Sequence, residues 1–239
     1  MSTGSKPNIA FVVAHPDDLA HAMGGTAWLL KERYKLHVFC ASKGERGYPD
    51  PQRQPGQPKP PRPEFGDVRA AEEAAACRLL DAELTFLGQI DGEIYADQQT
   101  CSTLAQALAT LSPVALFTLW PVNVPDHIAV SAMATKALSL SGAYHSTEIY
   151  FCENGMGGQT NQFVPDLYVN ISDVIEHKRE LVRCHKTQNR DEAAVENVLK
   201  RNVLRGMFAR CNHAEPFKTP DPLVNARWGR KTRYLLLDL

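Results

Sequence analysis

The chain has 239 residues, 44% hydrophobic and 22% charged, long enough to bury a core without disulfide staples. Lys+Arg number 26 against 27 Asp+Glu, with no run of five like charges, so no nucleic-acid partner is expected. The longest apolar stretches, 8–14 and 114–120, fall far below the roughly 20 residues that span a bilayer, and no signal-peptidase site follows the first residues, so a cytoplasmic address is expected. The six cysteines form no Cys-x-x-Cys pair, which disfavours a zinc ribbon or redox dithiol and leaves mostly buried thiols.

In chain order, hydrophobic periodicity predicts a strand over 8–14, a helix over 19–34 and a strand over 36–42, the start of a βαβ unit. Residues 43–63 carry prolines at 49, 51, 55, 58, 60, 61 and 63 and read as a long loop, which in a compact domain is usually functional or disordered. A helix is expected over 64–80, a strand over 84–87, a helix over 100–111, a strand over 114–119 and a helix over 126–140. Later strands are read at 148–152 and 167–171, helices at 172–187 and 191–210, and an edge strand or docking tail at 234–237. Strands alternating with helices of this length predict an α/β fold: one Rossmann-like, doubly wound domain over 1–239, with a mostly parallel sheet of the order 3-2-1-4-5 and helices on both faces. The proline-rich loop 43–63 would then lie at the sheet's active edge, where loops carry specificity.

The segment Val12-Val13-Ala14-His15-Pro16-Asp17-Asp18 ends an apolar strand in an imidazole and two carboxylates, at the sheet edge where such folds bind ligands. His15 and Asp18 offer donor types that zinc accepts. A third ligand fits at His127, in Pro125-Asp126-His127 after the fourth strand, because strands one and four are neighbours in the expected order and their exits form the crevice. Three protein ligands leave a position for water, and Asp17 is free to take its proton. Against this, Asp17 or Asp18 could simply cap the following helix, and His127 could be a first-turn residue capped by Asp126. From residue chemistry alone the first choice stays open, whereas for His127 its place after the fourth strand favours the ligand.

Ala14-His15-Pro16-Asp17-Asp18 with Gly24-Gly25 resembles the Ala-His-Pro-Asp-Asp-Glu signature of the PIG-L/LmbE-like de-N-acetylases. The resemblance continues through Ser42-Lys43-Gly44-Glu45, Arg69-Ala70-Ala71-Glu72, Phe86-Leu87-Gly88, Asp91-Gly92, Pro125-Asp126-His127, Lys178 and His185-Lys186-Thr187-Gln188. It implies a zinc-dependent hydrolase, another divalent metal being compatible, that removes the acetyl group from N-acetylglucosamine-type conjugates. It further implies His15, Asp18 and His127 as metal ligands, Asp17 as general base, and Arg69, Asp91 and Asp126 as substrate-binding positions. The expected partner is therefore a small N-acetylated sugar conjugate, and a homo-oligomer is compatible with the sequence.

Two positions depart from the pattern: Leu19 stands for the signature's glutamate, and Val124 for the histidine of His-Pro-Asp-His that helps stabilise the oxyanion. Losing one such donor typically costs about 10² to 10³ in rate. These departures motivate an alternative, a catalytically weak or silent relative acting as a sugar- or metal-binding scaffold. A nucleotide-binding reading lacks the glycine-rich turn it needs after Val13, and Gly24-Gly25 is better explained by close helix packing. Arg69 could instead pair with Glu73 at i,i+4 on a solvated helix face. Met156-Gly157-Gly158, near Glu153 and Asn154, reads as a pocket wall or an ordinary turn, and His185 and Gln188 as packing residues at least as readily as catalytic ones.

Overall fold

A computed structural model describes residues 6–54, 56–154, 163–220 and 234–239. Among the described residues seven strands form one mixed sheet: β1 (Asn8–Val13), β2 (Lys35–Ser42), β3 (Glu83–Gln89), β4 (Ala115–Leu119), β5 (Glu148–Cys152), β6 (Leu167–Asn170) and β7 (Ala214–Lys218). Their order is β3-β2-β1-β4-β5-β7-β6. The first five pair in parallel, in the expected 3-2-1-4-5 arrangement. Helices cover both faces, as near-continuous apolar central strands require. On one face α3 (Gln98–Leu111) packs on α4 (Pro125–Leu140); on the other α5 (Ile175–Cys184) packs on α1 (Asp18–Leu30), α2 (Pro63–Leu79) and α6 (Glu192–Ala209). The core runs across the central strands, where Phe117 stacks on Phe11 at 5.0 Å and on Tyr150 at 4.9 Å between ring centroids.

One strand lies where none was expected, the terminal segment takes the docking form of its two expected alternatives, and one helix is shorter than expected. β7 is not legible as a strand: Ala214-Glu215-Pro216-Phe217-Lys218 carries a buried glutamate and a proline, which loses a ladder donor. It nevertheless inserts antiparallel between β5 and β6, with only Phe217 and Lys218 paired to β5, so Pro216 lies beyond that ladder. The terminal segment forms no edge strand. It docks as a short 3-10 helix, Leu235–Asp238, whose Leu235 N–H donates to Glu148 Oε2 at 2.8 Å. The helix expected over 172–187 is shorter: a 3-10 turn, Ser172–Val174, leads into α5, which ends at Cys184. Met156-Gly157-Gly158 lies outside the described residues.

Helix α1 is broken at Met23 (φ −146°, ψ 20°). At the break the Gly25 and Thr26 N–H groups donate to the two oxygens of Glu215 at 3.0 and 2.7 Å, while Lys178 Nζ donates to the His21 carbonyl at 3.0 Å and to Glu215 at 2.6 Å. A fully buried ion pair thus stands where the Gly25-to-His21 helical bond would be, satisfying both orphaned groups. Gly25 is needed for the fit, since a Cβ there would lie 2.8 Å from Ile171.

Candidate active site

The C-terminal ends of β1 and β4 open side by side, and the residues following them meet. His15, Asp18 and His127 each present a ligand atom, all within 4.8 Å of one another. Asp18 is fixed first: its Oδ2 accepts the N–H groups of Ala14 (3.0 Å) and His15 (2.9 Å), and its Oδ1 accepts the amide of Asn154 at the exit of β5. Neither carboxylate caps α1 by a side-chain bond, so helix capping does not explain the pair. Likewise α4 starts with Pro125 at its first position after Val124, and Asp126 and His127 turn inward, both buried.

The donor set suits a divalent ion. Two ligands about 2.0–2.1 Å from a tetrahedral zinc stand about 3.3–3.4 Å apart; His127 Nε2 lies 3.4 Å from Asp18 Oδ1, and His15 Nδ1 lies 3.7 Å from Asp18 Oδ2. The other nitrogen of the same ring, His15 Nε2, faces Asp126 Oδ2 at 2.9 Å and Asp91 Oδ1 at 3.3 Å. A carboxylate on the far nitrogen is the usual way a ligating histidine is oriented. Asp126 also accepts the Gly92 N–H at 2.7 Å, pinning the turn after β3. Asp91 accepts the Arg46 N–H at 3.0 Å, tying the proline-rich loop to the same cluster.

Electrostatics follow from this crowding. Burial by itself would lower the His15 imidazole, but its hydrogen bonds to Asp126 and Asp91 and the Asp18 charge outweigh burial and push it up to about 10. Burial likewise opposes ionisation of Asp18, yet His127 and His15 hold its carboxyl well below the usual range. A proton and a metal ion compete for such a ring, because a ligating histidine must be neutral.

Asp17 is the most unusual residue of the site. It adopts φ 108°, ψ −25°, a conformation that costs a non-glycine residue about 1–3 kcal/mol unless its surroundings enforce it. Helix α2 enforces it. Glu73 Oε2 accepts the Asp17 N–H at 3.0 Å, and one turn earlier Arg69 Nη2 lies 3.2 Å from Asp17 Oδ2 and donates to the Pro16 carbonyl. Arg69 is buried and also donates to the Gly44 carbonyl, so it is not a solvated residue paired to Glu73. Burial, the largest influence on Glu73, raises its carboxyl to about 8.

Sequence reasoning did not single out Asn154 as a support of Asp18, Glu73 as a support of Asp17, or Glu215 at the break in α1. For Asn154 the signal was its place at a strand exit; for Glu73 and Glu215 no local signal existed. His185 is buried with its Nε2 3.7 Å from Glu73, and Gln188 donates to the Gly47 carbonyl at 3.2 Å. Gln188 thereby ties its segment to the turn after β2, whereas both ring nitrogens of His185 lack a hydrogen-bond partner among the described residues.

Residues 10–138, more than half of the chain, match the family model described as PIG-L, GlcNAc-PI de-N-acetylase. A probable N-acetyl-alpha-D-glucosaminyl L-malate deacetylase 2 of Bacillus cereus is 26% identical, the match covering 80% of this chain and 86% of that protein. A 4-oxalmesaconate hydratase of Pseudomonas putida is 28% identical, over 77% of this chain and 74% of that protein. The crystal structure of a conserved protein from Thermus thermophilus superposes with a TM-score of 0.74 at 26% identity, covering 93% of this chain and 99% of that one.

Proposed function

Since the chain belongs to the PIG-L family, we propose that it is a metal-dependent de-N-acetylase, acting as a single domain over 1–239, that hydrolyses the acetamide of an N-acetylglucosamine-type conjugate. The observation that carries this reading is the convergence of His15, Asp18 and His127 directly beside a strained, doubly anchored Asp17. The first three would hold a divalent ion, zinc by their donor types, which when bound supplies Lewis acidity to a carbonyl and lowers the pKa of water. Asp17 takes a proton from the attacking water and returns it to the departing nitrogen as the C–N bond breaks, leaving acetate and the free amine. Arg69 and Glu73 aim that carboxylate. Asp91 and Asp126 orient His15, and both are also candidates for contact with substrate hydroxyls. No described helix is long and apolar enough to cross a membrane, in keeping with action on a small conjugate in the cytoplasm.

A second reading has two specific supports. The hydratase relative adds water rather than cleaving an amide with it, and Val124 brings no side-chain donor to the position where the family signature has its histidine. The scaffold reading is less economical, because all three ligands and the base are retained.

Acetate release from N-acetylglucosamine conjugates by the zinc-loaded protein tests the proposal, with Asp17→Ala as control. Equal rates in the control would remove Asp17 from its role. No acetate from any conjugate, together with water addition to 4-oxalmesaconate, would replace the deacetylase reading with the hydratase one.

A further inference from the structure

His185 is a buried polar residue for which the mechanism so far has no use. It is 1% exposed, and neither ring nitrogen has a hydrogen-bond partner among the described residues. Burial, the largest influence, holds the ring well below its usual pKa, so it is neutral and carries one N–H donor and one bare nitrogen. A buried donor left unpaired is costly, and such groups are nearly always satisfied. The residue lies beyond position 138, outside the part of the chain that the family model matches.

The surroundings point the ring at one acceptor. Its backbone is fixed: the His185 N–H donates to the Val182 carbonyl at 3.2 Å, and its own carbonyl accepts the N–H groups of Gln188 and Asn189 at 3.1 and 2.8 Å. Glu72 staples the same turn to α2 by accepting the N–H and the hydroxyl of Thr187 at 2.9 and 2.7 Å. Glu73, the next residue of α2, then places Oε2 3.7 Å from His185 Nε2. That gap is too long for a hydrogen bond and too short to hold a bridging water, and a side-chain rotation of about 1 Å closes it to the usual N–H···O distance. The neighbouring ring of His21, edge-on at 6.4 Å between centroids, has its Nε2 taken by the Asn189 amide at 3.0 Å. Glu73 Oε2 already accepts the Asp17 N–H at 3.0 Å, and a carboxyl oxygen, with two lone pairs, accommodates a second donor.

We infer that His185 is a positioning residue for the proposed reaction: its Nε2–H donates to Glu73 Oε2 and so fixes the oxygen that holds the Asp17 backbone in place. Support for the base runs from the turn after α5, through Glu73, to Asp17. This rests on the reading of Asp17 as the base of a de-N-acetylase.

Glutamine places an amide N–H where Nε2 stands and asparagine where Nδ1 stands, so the pair of variants asks which ring nitrogen acts. His185→Asn and His185→Leu should lower kcat for acetate release by the zinc-loaded protein about 3- to 10-fold, the net worth of one hydrogen bond, with KM unchanged, whereas His185→Gln should keep most of the rate. In a Glu73→Ala background His185→Leu should cost nothing further, because its effect passes through Glu73. A glutamine variant as slow as the asparagine one, or an equal loss in both backgrounds, overturns the inference. Amide exchange followed by NMR on the zinc-loaded protein reads the same link without turnover. The Asp17 N–H should exchange about 3- to 10-fold faster in His185→Asn than in wild type, while the Ala14 and His15 N–H groups, held by Asp18, exchange as before. Faster exchange at Asp17 alone supports the link even if no conjugate releases acetate, and unchanged exchange there overturns it.

Discussion

Glu73 accepts the backbone N–H of Asp17, and with this bond, beside the Arg69 contact, α2 holds the proposed base at φ 108°. Removing the acceptor orphans a part-buried N–H and releases the turn, a loss of about 1–3 kcal/mol. Glu73→Ala should therefore lower kcat roughly tenfold or more with little change in KM. Glu73→Gln keeps an acceptor oxygen and should restore most of the rate. If the alanine and glutamine variants are equally slow, the bond is not what matters.

The same residue predicts a pH dependence of stability in chelator-treated protein. Burial raises the Glu73 carboxyl from 4.5 to about 8 in the fold. Between those values the unfolded chain has lost the proton and the folded chain keeps it. The unfolded state then binds fewer protons, and stability falls as pH rises from about 4.5 to about 8, levelling off above. Glu73→Gln should flatten this fall in a series of melting temperatures taken across the window; a slope as steep as that of wild type would show that the loss originates elsewhere.

His127→Ala should reduce bound zinc per chain, measured by elemental analysis, to near zero. A ligand that binds only the folded state at 100 times its Kd stabilises by about 2.7 kcal/mol. Added zinc should accordingly raise the melting temperature of wild type and leave that of the variant unmoved. Retention of one tightly bound zinc by the variant would exclude His127 as a ligand.

Lys178 and Glu215 form a fully buried pair at the break in α1. Breaking such a pair from one side costs about 3–5 kcal/mol, because the remaining charge is buried without a partner. Lys178→Met should lower the stability measured by urea unfolding by that amount, and Lys178→Met/Glu215→Gln should recover part of it. A double variant no better than the single one would show that Glu215 matters mainly as a cap for the Gly25 and Thr26 N–H groups.

Val124→His restores a donor beside the cluster. If amide hydrolysis is limited by oxyanion stabilisation, kcat for acetate release should rise, by up to the 10² or more such a donor typically supplies. A fall in acetate release, with metal content intact, would mean that the small apolar side chain is required by the reaction this chain performs.

Much of this protein was written locally. Near-continuous apolar strands separated by helices determined the five-strand parallel order, and His15, Asp17, Asp18 and His127 were legible because polar residues at the ends of such strands fall on one edge. What tertiary structure alone decided has a common physical cause, which is that its partners are distant in sequence. Strand β7, with Pro216 and Glu215, has no strand signature, and only pairing between β5 and β6 makes it one. The backbone of Asp17 takes its strained form because a glutamate and an arginine more than 50 residues on reach it, and Asn154 braces Asp18 from a third strand exit. Periodicity reports what a residue does within its own element, whereas a buried charge or a forced dihedral is set by whichever segment the fold brings against it.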